Sequence, residues 1–380
     1  MRLYEFEGTE LFSREGIPVP GYALAASVEE AQEKAQGIGL PVVIKAQVLT
    51  GGRYLAGGVQ IAHSLDQVEK ATRHVLGLSI GGLPVQQVMV AQQVDVDKEF
   101  YLGITVDEYH GTPVAIISAE GGVSVNKFAQ ERPEALFSRP VSIIKGLNSS
   151  EATQICRKVG LSGKELTHVA GMLVDLYRVF SNYDALVAEI NPLVRTRQGT
   201  YVALDAKVEI DDSSLYRHRD LNLALENRVL NPLERKGREI GVTYVELDGD
   251  IAVIASGAGL GMATVDIIGR RMRPANFLET GGAITTDLLY KVMDLVLQKE
   301  GIRAVFINVY GGINPIHEGA KGVVRYMQEH NVTLPVVAKA LGNHQEETWK
   351  IFKKHGVHVV DDVSTEKGID LLVQLLQGGA

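Results

Sequence analysis

A single cysteine in 380 residues, Cys156, leaves no partner for an internal disulfide. That fits a reducing cytoplasm. No apolar run approaches the roughly 18–20 residues that a membrane-spanning helix requires. The opening stretch Met1–Glu7 carries acidic side chains where a signal peptide needs its apolar core, so secretion is not expected and a cytoplasmic location is. Basic residues are outnumbered, 38 Lys and Arg against 46 Asp and Glu, for a net charge of −8. This argues against generic nucleic-acid binding, which needs a basic surface, while a local basic pocket for a nucleotide stays open. There is no G-x-x-x-x-G-K-[ST] phosphate loop, no internal repeat and no low-complexity segment. The ten histidines show no metal-ligand spacing, so no zinc site is expected, and His218 between Arg217 and Arg219 reads as a surface residue. Cys156, in the helix-like run Gln154–Val159 without a histidine partner, reads as a buried structural thiol.

The chain is too long for one ordinary core, and its 45% hydrophobic and 22% charged composition suits two or three globular domains. The first part mixes short β-rich runs with helical stretches, an α+β pattern. Val42–Val48 and Val88–Val90 read as strands, and Glu99–Val106 and Pro113–Ile117 as neighbours around a Tyr109-His110-Gly111 turn. Ser27 followed by Glu30 reads as a capping box. From Asn231 to Gly241 the sequence turns charged without a sustained apolar face, which places a boundary between domains at 1–235 and 242–380. Beyond it, strand, glycine-rich turn and helix recur: Ile251–Ala255 into Ser256–Gly261, Ala304–Val309 into Tyr310–Ile313, and Pro335–Ala338 into Leu341–Asn343. That order predicts a parallel, doubly wound α/β domain with ligands at the carboxyl ends of its strands.

Three segments carry candidate chemistry. Lys45 on a strand, followed by Thr50-Gly51-Gly52-Arg53 and Ala56-Gly57-Gly58, reads either as a phosphate cradle or as a hairpin with an edge lysine. Glu189 and Asn191 point to one face of an extended run, and a hairpin through Gln198-Gly199 brings Asp205 beside them. Hard oxygens converging there suit Mg²⁺, although acidic residues on strands also simply face solvent. The turns at Gly257–Gly261 and Gly311–Ile313 precede helices and read as anion sites or as tight connections.

In this order the segments resemble the β subunit of succinate–CoA ligase along essentially the whole chain. The likeness is carried by Tyr4-Glu5 to Pro20, Val43–Val48 with Gly51–Arg53, Lys98–Gly103, Glu120-Gly121-Gly122-Val123, Ala188–Val194, Leu204–Lys207, Leu247–Gly249, Gly257–Leu260, Pro274–Leu278 and Gly311–Ile313. The resemblance implies an N-terminal ATP-grasp domain and a C-terminal flavodoxin-like CoA-ligase domain. It implies nucleotide contacts at Lys45, Gly52, Arg53 and Glu99, Mg²⁺ ligands at Asn191 and Asp205, and a catalytic role for Glu189 near a visiting phosphohistidine. Gly311, Gly312 and Ile313 match the turn that holds the phosphohistidine and the acyl substrate.

In the family, ATP phosphorylates a histidine of a separate α subunit. The phosphoryl passes to a small carboxylate, and CoA then forms the thioester. That histidine sits in a Gly-His-Ala-Gly-like segment which this sequence lacks, so an α partner is expected, in an αβ or α₂β₂ assembly. Departures fall at the nucleotide positions Tyr54, Ala91 and Val94. Others fall at the substrate positions Ser256, Thr280–Ala283 and Pro315. They leave open a paralogue acting on malate, citrate or another carboxylate, or a non-catalytic nucleotide-binding or scaffolding subunit.

Overall fold

Packing divides the chain into two units, Met1–Leu223 and Ala224–Ala380. The computed structural model describes residues 1–122, 135–223, 228–229, 231–282 and 284–378. Val123 and Ala283, which close two of the glycine motifs, lie outside the described residues.

The N-terminal unit begins with α1 (Glu5–Arg14), β1 (Tyr22–Ala25), α2 (Val28–Ile38), β2 (Val42–Ala46), β3 (Val59–Ala62) and α3 (Leu65–Leu76). The short ladder β4 (Ser79–Ile80) and β5 (Leu83–Pro84) leads into β6 (Val88–Gln92). β1, β6, β2 and β3 form an antiparallel sheet in that order. Ser27 caps α2 as expected, its hydroxyl accepting from the Glu30 N–H, while the Glu30 carboxylate accepts from Ala26 N–H. Alternation along β2 buries Val42, Ile44 and Ala46 against Ala31 and Ala35 of α2 and Val68 and Val75 of α3. The same period of two turns Lys45 to the opposite face of the sheet.

A second sheet takes β7 (Val96–Asp107), β8 (Thr112–Ser118), β9 (Leu136–Pro140), β10 (Ala185–Thr196), β11 (Tyr201–Ala203) and β12 (Ala206–Ile210), in the order β11-β10-β7-β8-β9 with β12 also on β10. Between β9 and β10 run α4 (Ser149–Lys158) and α5 (Gly163–Asn182). Phe100, Leu102, Ile104, Ala188 and Ile190 form the core with Leu173 and Leu176 of α5. Glu99, Tyr101 and Glu189 therefore stand on the other face. Cys156, on α4, is fully buried, and burial pushes its thiol up to about 12. His218 differs from expectation: its side chain is 11% exposed, and Nε2 lies 2.7 Å from Asp184 Oδ2.

The C-terminal unit comprises α6 (Pro232–Glu239), β13 (Thr243–Glu246), β14 (Ile251–Ala255), α7 (Ala258–Gly269), β15 (Asn276–Glu279), α8 (Thr286–Leu297), β16 (Ala304–Gly311), α9 (Ile316–Glu329), β17 (Val336–Gly342), α10 (Gln345–Lys354), β18 (His358–Val360) and α11 (Thr365–Gly378). The sheet order is β13-β15-β14-β16-β17-β18, parallel throughout except for β13, which runs antiparallel to β15. Every residue of β14 is buried, as a parallel strand covered on both faces requires. Residues of α8, α9 and α10 pack in one core cluster and residues of α7 and α11 in another, which gives the doubly wound arrangement.

The charged stretch after Asn231 is itself a helix, α6, capped by the Asn231 side chain and laid against β13. Its close approach runs through Gly237, where a Cβ would lie 2.8 Å from Tyr244 Cβ. Among the described residues no helix is long and apolar enough to cross a membrane.

Candidate functional site

Lys45 leaves the face of β2 opposite α2 and α3 and donates to Glu5 Oε1 of α1 at 2.7 Å and to the Leu204 carbonyl at 2.5 Å. Arg53, from the glycine-rich loop after β2, donates to Glu5 Oε2, to the Ala46 carbonyl at 3.1 Å and to Asp205 Oδ1 at 2.7 Å. Gln47 adds a donor to Glu5 Oε2 at 3.2 Å. The loop is built on glycine where it must be. Gly52 and Gly57 have φ of +79° and +78°, and a Cβ on Gly58 would lie 3.0 Å from the Arg53 carbonyl.

Glu5 is the centre of this cluster. Its carboxylate is 1% exposed. Burial raises its pKa, but Lys45 and Arg53 outweigh that and hold the carboxyl far below the usual carboxylate range. Asp205 sits in the opposite balance: burial and the neighbouring Glu5 charge push its pKa up, and Arg53 and Lys45 only partly offset them. Its side chain keeps 38% exposure, so it borders open space. Sequence reasoning missed Glu5 as a site residue. The available signal was spacing, since Glu5, Gly8, Thr9 and Phe12 share the buried face of α1.

The expected hairpin through Gln198-Gly199 is present. Its register pairs Ile190 with Ala206 and Leu193 with Ala203, which leaves Asn191 opposite Asp205 and Pro192 opposite Leu204. Asn191 Oδ1 accepts from the Gly122 N–H at 3.0 Å. Gly122 has φ of +74°, and a Cβ there would lie 2.2 Å from Glu99 Oε2, so Glu99 and Asn191 meet at this glycine. An amide oxygen and a carboxylate at facing positions are the donors a hard cation takes from protein, with substrate phosphates completing the shell, so the pair fits Mg²⁺. Glu189 faces Gly103 across the β10–β7 ladder and pairs with Lys207 at 2.9 Å. Tyr101, whose phenol is pushed strongly up by burial and then by the Glu189 charge, is close by.

The other nucleotide candidates are less alike. Tyr54 is 77% exposed on the loop. Ala91, on β6 opposite Val43, offers only a buried methyl on the Lys45 face, and Val94 follows the strand half-buried.

Within the C-terminal unit, Ser256 directly follows β14, beside the end of β16. Its hydroxyl accepts from the Tyr310 N–H at 2.9 Å and donates to the Tyr310 carbonyl at 3.2 Å. Gly311 admits no side chain, because a Cβ would lie 2.1 Å from Ile316 Cγ2 and 2.9 Å from the Asn314 carbonyl. Gly312 meets nothing closer than 3.8 Å, and Ile313 is 90% exposed. Neither α7 nor α9 has a cap from the side chain of its N-cap residue; at the start of α9 the Ile316 N–H donates to the Asn343 carbonyl at 3.4 Å and the Glu318 N–H to the Pro315 carbonyl at 3.2 Å. Next to Gly311–Ile313 is a recess of about 380 Å³ lined by Ile284, Thr285, Thr286, Asp287, Asn314, Pro315 and Glu318.

The ATP-grasp domain family matches residues 2–195 and the CoA-ligase family residues 254–369. Over its whole length the chain superposes on a solved ATP citrate lyase from Methanothrix soehngenii with a TM-score of 0.77, covering 99% of both chains. At 18% identity this likeness speaks for the fold. The chain is 41% identical to the succinate–CoA ligase (GDP-forming) subunit β of Thermus thermophilus, covering 94% of this chain and 95% of that one. It is 37% identical to the ADP-forming subunit β of Ignicoccus hospitalis, covering 96% of each. With that identity carried across both units, the chain belongs to the succinate–CoA ligase β-subunit family.

Proposed function

We propose that this chain is the nucleotide-binding β subunit of an acid–CoA ligase, active together with an α subunit that carries a phosphorylatable histidine. One observation carries the reading: Lys45 and Arg53 converge with Asp205 and Asn191 on one face of the N-terminal unit. Two cations beside two hard oxygen donors are the parts that a metal-bound nucleoside triphosphate needs.

Lys45 and Arg53 bind the phosphates, exchanging their contacts to Glu5 and Asp205 for phosphate oxygens. The Gly52 loop approaches closely because no Cβ intervenes. Asn191 and Asp205 would hold Mg²⁺, which would supply charge neutralisation at the phosphates. Glu189, fixed by Lys207, lies where a visiting imidazole is oriented. The phosphorylated histidine is then received at the Gly311–Ile313 turn, where backbone N–H groups at a helix start favour an anion. There the phosphoryl passes to the carboxylate and CoA takes the acyl group. Transfer through an acyl phosphate turns a poor leaving oxide into a good one. Succinate is the first carboxylate to test, with malate and citrate beside it because Ser256 and Pro315 alter the turn.

Calorimetric titration of the chain with its α partner, using Mg-ATP and Mg-GTP, tests the nucleotide claim. Binding of one nucleotide is expected, weakened at least about tenfold by Lys45→Ala, which removes a charge-assisted contact. Absence of binding to the wild-type assembly overturns it in favour of a scaffolding subunit.

A further inference from the structure

β16 and β17 stay in register to their last pair, Gly311 with Gly342, so α9 and α10 start side by side at the carboxyl edge of the sheet. This sets His317, in the first turn of α9, against His344 and Glu347 at the start of α10. The two imidazole centroids are 4.5 Å apart. His344 Nδ1 lies 3.3 Å from Glu347 Oε2, and His317 Nε2 lies 4.0 Å from the same oxygen. One ligand atom from each of the three falls within 4.8 Å of the others.

We propose that His317, His344 and Glu347 form a binding site for a divalent transition ion of the zinc class, separate in residues and chemistry from the Asn191–Asp205 pair. Zinc bonds of about 2.0–2.2 Å place tetrahedral ligands about 3.3 Å apart. The His344–Glu347 pair already has that spacing. The remaining closure, on the order of an ångström, is available to side chains that are 48% and 53% exposed. Two imidazole nitrogens and one carboxylate leave a fourth position for water and favour zinc over Mg²⁺, which prefers oxygen throughout.

Two further features single the cluster out. His344 takes φ 60°, ψ 30°, an uncommon conformation for a non-glycine residue, yet makes no capping bond with its side chain. Such backbone strain tends to persist at ligand sites. His317 is 13% exposed, and its Nδ1 is buried without a hydrogen-bond partner among the described residues. Its Nε2 lies 3.1 Å from Glu318 Oε1, a carboxylate already held by Lys321 at 2.6 Å. Each imidazole would bind through the lone pair of its unprotonated nitrogen and Glu347 through a carboxylate oxygen.

The ion braces the turn that follows β16. Asn343, next to His344, donates its N–H to the Gly311 carbonyl at 2.7 Å and its amide to the Ile313 carbonyl at 3.0 Å. With His317 and His344 joined, the Gly311–Ile316 turn is tied from both sides.

The test is calorimetry of the full chain with Zn²⁺ in excess Mg²⁺, with the visible absorption of bound Co²⁺ as a second readout. One equivalent and a tetrahedral cobalt spectrum are expected. His344→Asn, which keeps a residue tolerant of the left-handed conformation, and Glu347→Gln should each weaken binding about tenfold or more. Both should leave the metal-free far-UV circular dichroism unchanged. His110→Ala, at an exposed histidine in the other unit, should leave binding as it is. No zinc binding, or binding of equal strength in His344→Asn and Glu347→Gln, overturns the assignment.

Discussion

Arg53 Nη2 donates to Asp205 Oδ1 at 2.7 Å, so the carboxylate proposed to hold a metal is engaged by a cation of its own chain. The same guanidinium reaches Glu5, which is buried and shared with Lys45. Under the proposed function, Lys45 and Arg53 would exchange these contacts for phosphate oxygens, and Asp205 would be released to hold Mg²⁺. The cluster thus pairs two cations with one buried and one partly exposed carboxylate.

The two carboxylates differ in what they do for stability. Glu5→Gln leaves two largely buried cations short of a counter-charge and should cost about 3–5 kcal/mol, read as a lower urea midpoint at neutral pH. Its folded pKa is depressed from 4.5 to about 2, so its contribution is fully present above about 4.5 and lost as pH falls towards 2. Acid unfolding of Glu5→Gln should be correspondingly less steep in that window. For Asp205 the folded pKa is raised, so its charge opposes folding as pH rises through that pKa. Asp205→Asn removes a like charge beside Glu5 but also the ion pair to Arg53, so the midpoint at neutral pH should move by no more than about 1 kcal/mol while nucleotide turnover is abolished. A large loss of stability in Asp205→Asn would contradict this balance.

The adjacent glycines of the second turn should respond differently. Gly311→Ala drives a methyl into Ile316 and the Asn314 carbonyl, which should cost about 1–3 kcal/mol and sharply reduce turnover with the α subunit. Gly312→Ala meets only ordinary contact at 3.8 Å and should leave the denaturation midpoint within about 0.5 kcal/mol. Equal destabilisation by both would show that the turn is not packed as described.

The sequence showed where period and turn chemistry act locally. Alternation along Val42–Ala46 put Lys45 on its face, and the Gln198-Gly199 turn set the register that brings Asp205 opposite Asn191. Repeated strand, glycine and helix gave the parallel unit, though not its antiparallel edge strand β13. Glu5 was hidden because nothing within a few residues reveals that a carboxylate on a helix face meets Lys45 and Arg53. The 232–239 stretch reads as polar because α6 approaches β13 through Gly237 rather than through large apolar side chains. The His317, His344 and Glu347 cluster joins the starts of two successive crossover helices. Only the strand register makes them neighbours, so ligand spacing along the chain could not show it.

Ser256 bears on substrate choice through Tyr310. Its hydroxyl is committed to the Tyr310 backbone, so Ser256→Ala should cost about 0.5–1.5 kcal/mol. Ser256→Asn must reach past that backbone and present an amide to the turn. We expect it to raise kcat/KM for succinate relative to malate and citrate, measured with one α partner throughout. Wild-type preference for succinate that the substitution leaves unchanged would remove Ser256 from the specificity argument.

The division of labour between the two subunits is tested most directly with γ-labelled ATP and Mg²⁺, with this chain alone and then with its α subunit. No stable label is expected on any of the ten histidines of this chain, and acid-labile label is expected on the α subunit once it is added. That label should disappear in an assembly built with Asp205→Ala. Label on a histidine of this chain, or undiminished labelling of the α subunit by the Asp205→Ala assembly, would contradict it.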